Sequence, residues 1–443
     1  MEVDRPGFRI LVLGDVMLDR YLHGATKRTN PEVPGGTVFN VERVEDRLGG
    51  AAAVAYLCAG LGAAATLCGS IGQDAEGQRL IDLCEENGVK WAGYLDQPFT
   101  TVKQRCVEQG RLLGMRVDYD CDSIGEDYDP VLLLVGQQFD AIIVSDYGRG
   151  FISDGLVPSL AQRFAGVPII VDPARDRDWL AYVGASVVKC NEFEARRART
   201  LPDCRLIVTR EGAGMELDGW LFPSTPRQVI DPAGCGDTVA AMLAWGLASG
   251  TPLEEACRLA NVAAGLQVQR LGVQRITWPE IRLADCKAAD QETIVAFARL
   301  QKVAGRKVVF TNGAFDVFHY GHLVSLQGAK AFGDVLIVGL NSDSSVRRLK
   351  GDSRPIHNQD QRAAVLAALE CVDAIVVFDG EPTELVERLR PDVMVKGEDY
   401  QNKAISGSEF AERIELIPLT EGLSTTRLLE RIGDASRHEL NAC

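Results

Sequence analysis

The sequence predicts an α/β protein of two parallel-sheet domains, and three observations carry that expectation. Its 443 residues exceed the roughly 100–200 that one hydrophobic core usually serves. Short β-branched and leucine-rich runs recur at 9–13, 141–145, 167–171 and 206–209, then at 307–311, 335–340 and 374–378. Amphipathic helical patterns separate them, and strands that alternate with helices build parallel sheets. The third observation is a break. Residues 278–304 are charged and alanine-rich, helical in character and without a strong buried-strand run, so they are expected to link a front domain, 1–277, to a smaller back domain, 305–443.

Composition narrows the function. Hydrophobic residues make up 46% and charged residues 25% of the chain, the make-up of an ordinary globular protein. A formal net charge of −15 argues against general nucleic-acid binding, which needs a basic footprint on its surface. No apolar run of membrane-spanning length occurs, and the first residues lack the basic-then-apolar layout of a signal peptide. A cytoplasmic protein without nucleic-acid or membrane partners is therefore expected. The 12 cysteines stand singly with no Cys-x-x-Cys pair, which fits neither a zinc knuckle nor a redox motif.

In the front domain, Val229-Ile-Asp-Pro-Ala-Gly-Cys-Gly-Asp-Thr leads directly into an apolar, alanine-rich stretch. Gly234 and Gly236 let the backbone pass close to a ligand. With Cys235 between them they would form an anion hole at the positive end of a helix beginning near Asp237. Asp237 at its mouth is either a general base that accepts the proton of an attacking hydroxyl, or simply an N-cap.

This stretch resembles the signature of the ribokinase-like carbohydrate kinases, Asp-Thr-x-Gly-Ala-Gly-Asp, whose final Asp is the catalytic base. Pro232 and Cys235 replace two of its usual residues. The resemblance runs through the front domain. Val12-Leu-Gly-Asp-Val-Met-Leu-Asp offers Asp15 and Asp19, for which it implies contact with sugar hydroxyls. Leu48-Gly-Gly-Ala-Ala-Ala resembles the family's sugar-binding turn through Gly49 and Gly50, although Ala53 stands where the family usually has Asn. Thr101-Val-Lys-Gln-Arg, with Arg111 and Arg116, puts cations on strands that cross the sugar site in the family. Lys103 and Arg105 are the candidates to neutralise a substrate phosphate; alternating charges also describe a solvated strand face. Asn191-Glu-Phe-Glu matches the Asn-x-x-Glu motif, which implies that Asn191, Glu192, Phe193 and Glu194 lie at ATP, with Glu194 acting indirectly on Mg²⁺. Thr209, Gly212 and Gly214 are implied at the nucleotide phosphates, Asn261 near the adenine, and a homodimer through this domain is the expected assembly.

In the back domain, Thr311-Asn-Gly-Ala-Phe-Asp-Val-Phe-His-Tyr-Gly-His-Leu precedes a helix expected over 323–331. His319 and His322, three apart around Gly321, share a face on a first helical turn, beside a positive helix end where a triphosphate is the expected occupant. Their N–H groups would stabilise charge at an α-phosphate under attack. A zinc pair is the rival, with no third Cys or His ligand nearby in the sequence. The motif resembles that of the cytidylyltransferase-like nucleotidyltransferases, Thr-x-Gly-x-Phe-Asp-x-x-His-x-Gly-His, at every defining position. Thr311, Asn312, Gly313, Phe315 and Asp316 are thereby implied in nucleotide binding. The resemblance adds Lys350, Arg354 and Lys396 as cations for the triphosphate and departing pyrophosphate. It also adds Ser424, Thr425 and Thr426 as anion contacts before a helix expected over 427–432.

A ribokinase-like parallel-sheet domain followed by a smaller Rossmann-like nucleotidyltransferase domain resembles the bifunctional enzymes that make ADP-activated heptose for bacterial lipopolysaccharide. That resemblance implies phosphorylation of D-glycero-D-manno-heptose 7-phosphate at O1 by ATP, then adenylyl transfer from ATP to heptose 1-phosphate. A separate phosphatase acts between the steps. Two other readings stand beside it. Thr420-Glu-Gly-Leu-Ser-Thr-Thr also resembles the ending of glycerol-phosphate cytidylyltransferases, which points to CTP and another polyol phosphate. The lost amide at Ala53 permits a front domain that binds sugar without catalysis.

Overall fold

Every residue of the strand Ala141–Ser145 is buried, as are five of the six in Arg9–Gly14. A strand with no solvated face needs helices on both sides, the arrangement of a parallel sheet. The computed structural model describes residues 7–122, 130–198, 203–224 and 229–418, and the chain divides into two units, Met1–Trp278 and Pro279–Cys443.

Unit 1 is built on a nine-stranded sheet. From one edge it runs Trp220–Pro223, Gly214–Leu217, Arg205–Thr209, Val187–Asn191, Ile169–Asp172, Ala141–Ser145, Arg9–Gly14, Ala64–Cys68 and Lys90–Trp91. All neighbours are parallel except at the first edge, where Gly214–Leu217 runs antiparallel to both Trp220–Pro223 and Arg205–Thr209. The C-terminal ends of the parallel strands therefore face one way, and their loops gather into one rim, where ligands of open α/β sheets bind. A second sheet of four strands, in the order Thr37–Gly50, Val16–Thr29, Val102–Glu108 and Arg111–Tyr119, grows out of that rim.

Unit 2 has a six-stranded, wholly parallel sheet in the order Ala288–Ala289, Ala374–Phe378, Val335–Asn341, Val308–Gly313, Val393–Gly397 and Arg413–Ile417. Separate apolar clusters cover its two faces, one around Phe310, Ile337 and Val376, the other around Val309, Leu336 and Ile375. The strand order reverses beside Val308–Gly313, and such a switch point opens a crevice for ligand.

The stretch 278–304 is not a linker. It forms the helices Trp278–Cys286 and Gln291–Val303 around the edge strand Ala288–Ala289, which pairs with Ile375 and Val376. Leu283, Ile294, Val295 and Ala298 pack into the core of unit 2, so burial of these apolar side chains holds the segment in place.

Candidate active sites

In unit 1 the rim surrounds a cavity of about 920 Å³ whose walls include Lys103, Arg116, Asp146, Tyr147, Asp172, Lys189, Asn191, Glu194, Thr209, Gly236 and Asp237. The helix Cys235–Ala248 starts at its floor, with Gly234 as N-cap at φ 77°. A Cβ there would lie 2.6 Å from Val273 Cγ2, so left-handed backbone and close packing both call for glycine. Asp237 is thus not the N-cap but sits on the first turn. The Cys235 amide is occupied by the Pro232 carbonyl at 3.3 Å, while Gly236 and Asp237, as first-turn residues, have amides without an intrahelical acceptor.

Asp237 is half-buried, and Tyr147 Oη donates to its Oδ1 at 3.2 Å. Burial and the nearby Asp172 carboxylate push the Asp237 carboxyl up to about 6, against the opposing charge of Lys189. A carboxylate tuned toward neutrality is a better proton acceptor than an ordinary surface aspartate. The Cys235 thiol is pushed up to about 11 by burial and by Asp231 and Asp237, which leaves it protonated at neutral pH.

The other candidates separate by what they touch. Asp19 pairs with Arg105 at 2.7 Å, and a Cβ on Gly49 would lie 2.9 Å from Asp19 Cγ. Gly50, at φ 57°, leaves no room for a Cβ beside the Asp15 carbonyl. Asp15 is turned away from the sugar role expected of it. Its buried carboxylate accepts the backbone N–H groups of Tyr147, Arg149 and Phe151 at 2.8, 3.1 and 3.3 Å, so it holds the loop that carries Tyr147. Arg116 lines the cavity but is paired with Asp118, and Arg111 is exposed. Ala53 is buried in the helix Ala51–Gly60.

Asn191 and Glu194 bond each other in a capping box, Asn191 Oδ1 accepting from Glu194 N and Glu194 Oε2 from Asn191 N, both at 2.9 Å. Glu192 pairs with Arg210, and Phe193 is exposed under the Arg197 guanidinium. Thr209 Oγ1 donates to the Cys190 carbonyl, and Asn261 Nδ2 to the Phe222 carbonyl at 2.7 Å. Gly214 has φ 112° with the Phe222 carbonyl directly against it, while Gly212 is open to its surroundings. Sequence reasoning passed over Tyr147, Asp172 and Lys189. A lysine inside the apolar run Val187-Val-Lys-Cys was the visible signal for one of them.

In unit 2, His319 is the N-cap of the helix Tyr320–Lys330 and His322 stands on its first turn. The helix begins three residues earlier than expected. The two imidazoles stack with centroids 3.9 Å apart and planes 20° apart. Both Nδ1 atoms are buried without a hydrogen-bond partner among the described residues. Burial lowers the His319 pKa, and burial, His319 and Lys350 bring that of His322 down to about 4. Both rings are therefore neutral at physiological pH, each with one N–H to donate. No cluster of three metal-ligating side chains forms among the described residues.

Lys396 donates to Asn312 Oδ1 at 2.6 Å, bridging the two strands that flank the switch point. Burial lowers its pKa to about 8. Thr311 Oγ1 bonds the Val395 carbonyl, and a Cβ on Gly313 would crowd the Phe315 ring. Asp316 accepts from the amides of Ile356 and His357 and pairs with Arg354 Nε at 3.0 Å. Lys350 ends the helix Asp343–Lys350 close enough for its charge to act on His322, and Gly321 lies between the two histidines. Arg362, not foreseen, is fully buried. It donates to the Ala314 and His357 carbonyls and pairs with Asp343, which ties the two loops of the site together. Ser424, Thr425 and Thr426 lie outside the described residues.

Comparisons with known proteins follow the division into two units. Residues 8–118 and 157–281 match the pfkB family carbohydrate kinase model, and residues 310–431 the cytidylyltransferase-like model. The chain is 37% identical to "Bifunctional protein HldE" of Geotalea uraniireducens, over 97% of each chain. It is 38% identical to the protein of that name from Wolinella succinogenes, over 96% of this chain and 97% of that one. A putative ribokinase from Agrobacterium tumefaciens superimposes with a TM-score of 0.50 at 20% identity, covering 67% of this chain and 99% of that one, a likeness of fold. With relatives this similar matched from end to end, the chain belongs to the bifunctional HldE family, a pfkB carbohydrate kinase and a cytidylyltransferase-like nucleotidyltransferase in one polypeptide.

Proposed function

We propose that this heptose phosphate kinase/adenylyltransferase works through the two sites just described. In unit 1 the O1 oxygen of heptose 7-phosphate attacks the γ-phosphorus of ATP. The O1–P bond forms as the bond to ADP breaks, ADP takes that electron pair, and Asp237 takes the O1 proton. The amides of Gly236 and Asp237 receive the charge of the transferring group. Lys103 and Arg105, on the strand Val102–Glu108, are assigned to the 7-phosphate. The observation that carries this reading is the placement of the Asp237 carboxylate in the cavity, on the first turn of a helix and hydrogen-bonded by Tyr147.

Magnesium fits this cavity as an ion that arrives with ATP. The capping box uses one oxygen of Glu194, so Glu194 would help hold the ion through the other, as Mg²⁺ is commonly held by substrate phosphates plus few carboxylates. When bound it would neutralise negative charge on the nucleotide phosphates. Asn191 and Glu194 orient that end of the nucleotide.

In unit 2 the phosphate of heptose 1-phosphate attacks the α-phosphorus of ATP, a P–O bond forms, and pyrophosphate leaves with the electrons of the broken bond. No proton need be removed from an ionised phosphate, so neutral imidazoles serve as donors rather than as bases. His319 and His322 stabilise the α-phosphate oxygens, and Lys350, Arg354 and Lys396 the departing pyrophosphate.

ATP as substrate supports action in the cytoplasm, and no described helix is long and apolar enough to cross a membrane. The outer strands of the four-stranded sheet expose Val41, Val44, Met115, Val117 and Tyr119. A second copy would cover that apolar area, which supports a homodimer through unit 1. The test of function is product identification by mass spectrometry. Heptose 7-phosphate and ATP should give a heptose bisphosphate and ADP, and heptose 1-phosphate with ATP should give ADP-heptose. Product from CTP alone, or from another polyol phosphate alone, would contradict the reading.

A further inference from the structure

We infer that Lys189 belongs to the phosphoryl-transfer site of unit 1, as a fixed cation beneath the anion loop that faces both the base Asp237 and the phosphoryl group in transit. This rests on the kinase reading of that unit.

Lys189 lies in the middle of the strand Val187–Asn191 and is only 5% exposed. Side chains alternate across a strand. Val188 and Cys190 enter the apolar core on one face, and Lys189 shares the other with Asn191, toward the cavity they both line. Its Nζ is 2.6 Å from Asp172 Oδ2 and 3.4 Å from the Gly236 carbonyl. A Cβ on Gly236 would stand 3.1 Å from that nitrogen, so the ammonium is packed directly against the first turn of the helix that carries Asp237.

Stability alone is a poor reason to keep such a pair. Burying two charges costs about as much as their attraction returns, and apolar replacements of similar volume are often equally stable. Its position supplies a better reason. Phosphoryl transfer adds negative charge to a cavity floor that already holds the carboxylates of Asp172 and Asp237, and Lys189 is the buried cation between them. Burial alone would draw the lysine's pKa down, but Asp172 and Asp237 reverse the direction and keep it charged. In return Lys189 opposes the burial and the Asp172 charge that raise Asp237. The charges that act most on Asp237 are Asp172 and Asp19, which raise it, and Lys189, which with the Tyr147 hydrogen bond lowers it. Lys103 and Arg116 line the same cavity, but removal of Lys189 takes away the strongest opposing charge.

The test uses the full chain with heptose 7-phosphate and ATP. Lys189→Met should lower kcat about 10²–10³-fold, leave KM for the sugar nearly unchanged, and move the acid limb of the pH profile to higher pH. Nucleotidyl transfer should persist as a folding control. The double variant Asp172→Asn/Lys189→Met removes the pair without leaving a lone buried charge. It should melt like the unaltered protein and return the acid limb toward its original place, because two opposing influences on Asp237 go together, yet kcat should stay low. Wild-type kcat in the double variant, an unmoved acid limb in Lys189→Met, or loss of the unit 1 melting transition in both variants would make the pair a structural filler and overturn the inference. No turnover by the unaltered chain would instead overturn the kinase reading, and this inference with it.

Discussion

At the scale of single residues, protonation state separates the two chemistries. Asp237 must be ionised to take a proton, and its carboxyl is raised to about 6. Sugar phosphorylation should therefore be fully supported above that pH and fall about tenfold per unit below it, as a kcat/KM profile would record. His322, lowered to about 4, stays neutral across that range and should add no limb near 6 to nucleotidyl transfer. Asp237→Asn should cost about 10²–10⁴ in kinase rate; a variant that still turned over would reduce Asp237 to a first-turn charge on its helix. His319→Ala and His322→Ala should each lower kcat for nucleotidyl transfer by about 10²–10³, with a smaller effect on KM for the nucleotide. Near-normal turnover in both would remove the imidazoles from the reaction.

At the scale of elements, the sites depend on loops fastened from behind. Asp15 fastens the loop of Tyr147, and Arg362 fastens the loop of Ala314 to that of His357. Arg362→Met would leave two carbonyls and the Asp343 carboxylate without their donor, so unit 2 should lose about 3–5 kcal/mol, measurable by denaturant titration, with sugar phosphorylation retained. Gly234→Ala would force a Cβ against Val273 at a left-handed position and should impair the kinase through the first turn of its helix. Such fastening was poorly legible in the sequence. Asp15 reads as a ligand because it ends a strand, yet its partners lie more than 130 residues away. By contrast Gly234, Gly236, Asp237 and the His319–His322 pair were legible because their chemistry is local and their spacing is short.

At the scale of the whole molecule, the alternation of buried strands and amphipathic helices announced two parallel sheets. The segment 278–304 was misread because its strand is only two residues long, too short for any periodicity to register, and its apolar positions find their partners only in the folded core. Lys189 escaped for the opposite reason. The run around it is plainly a strand, and nothing local says that its ammonium meets Asp172 rather than solvent. If one chain holds two separable chemistries, assaying both reactions in the unaltered protein, Asp237→Asn and His322→Ala will show it. Asp237→Asn should lose only heptose bisphosphate formation and His322→Ala only ADP-heptose formation. Loss of both products in either variant, or of neither, would contradict it.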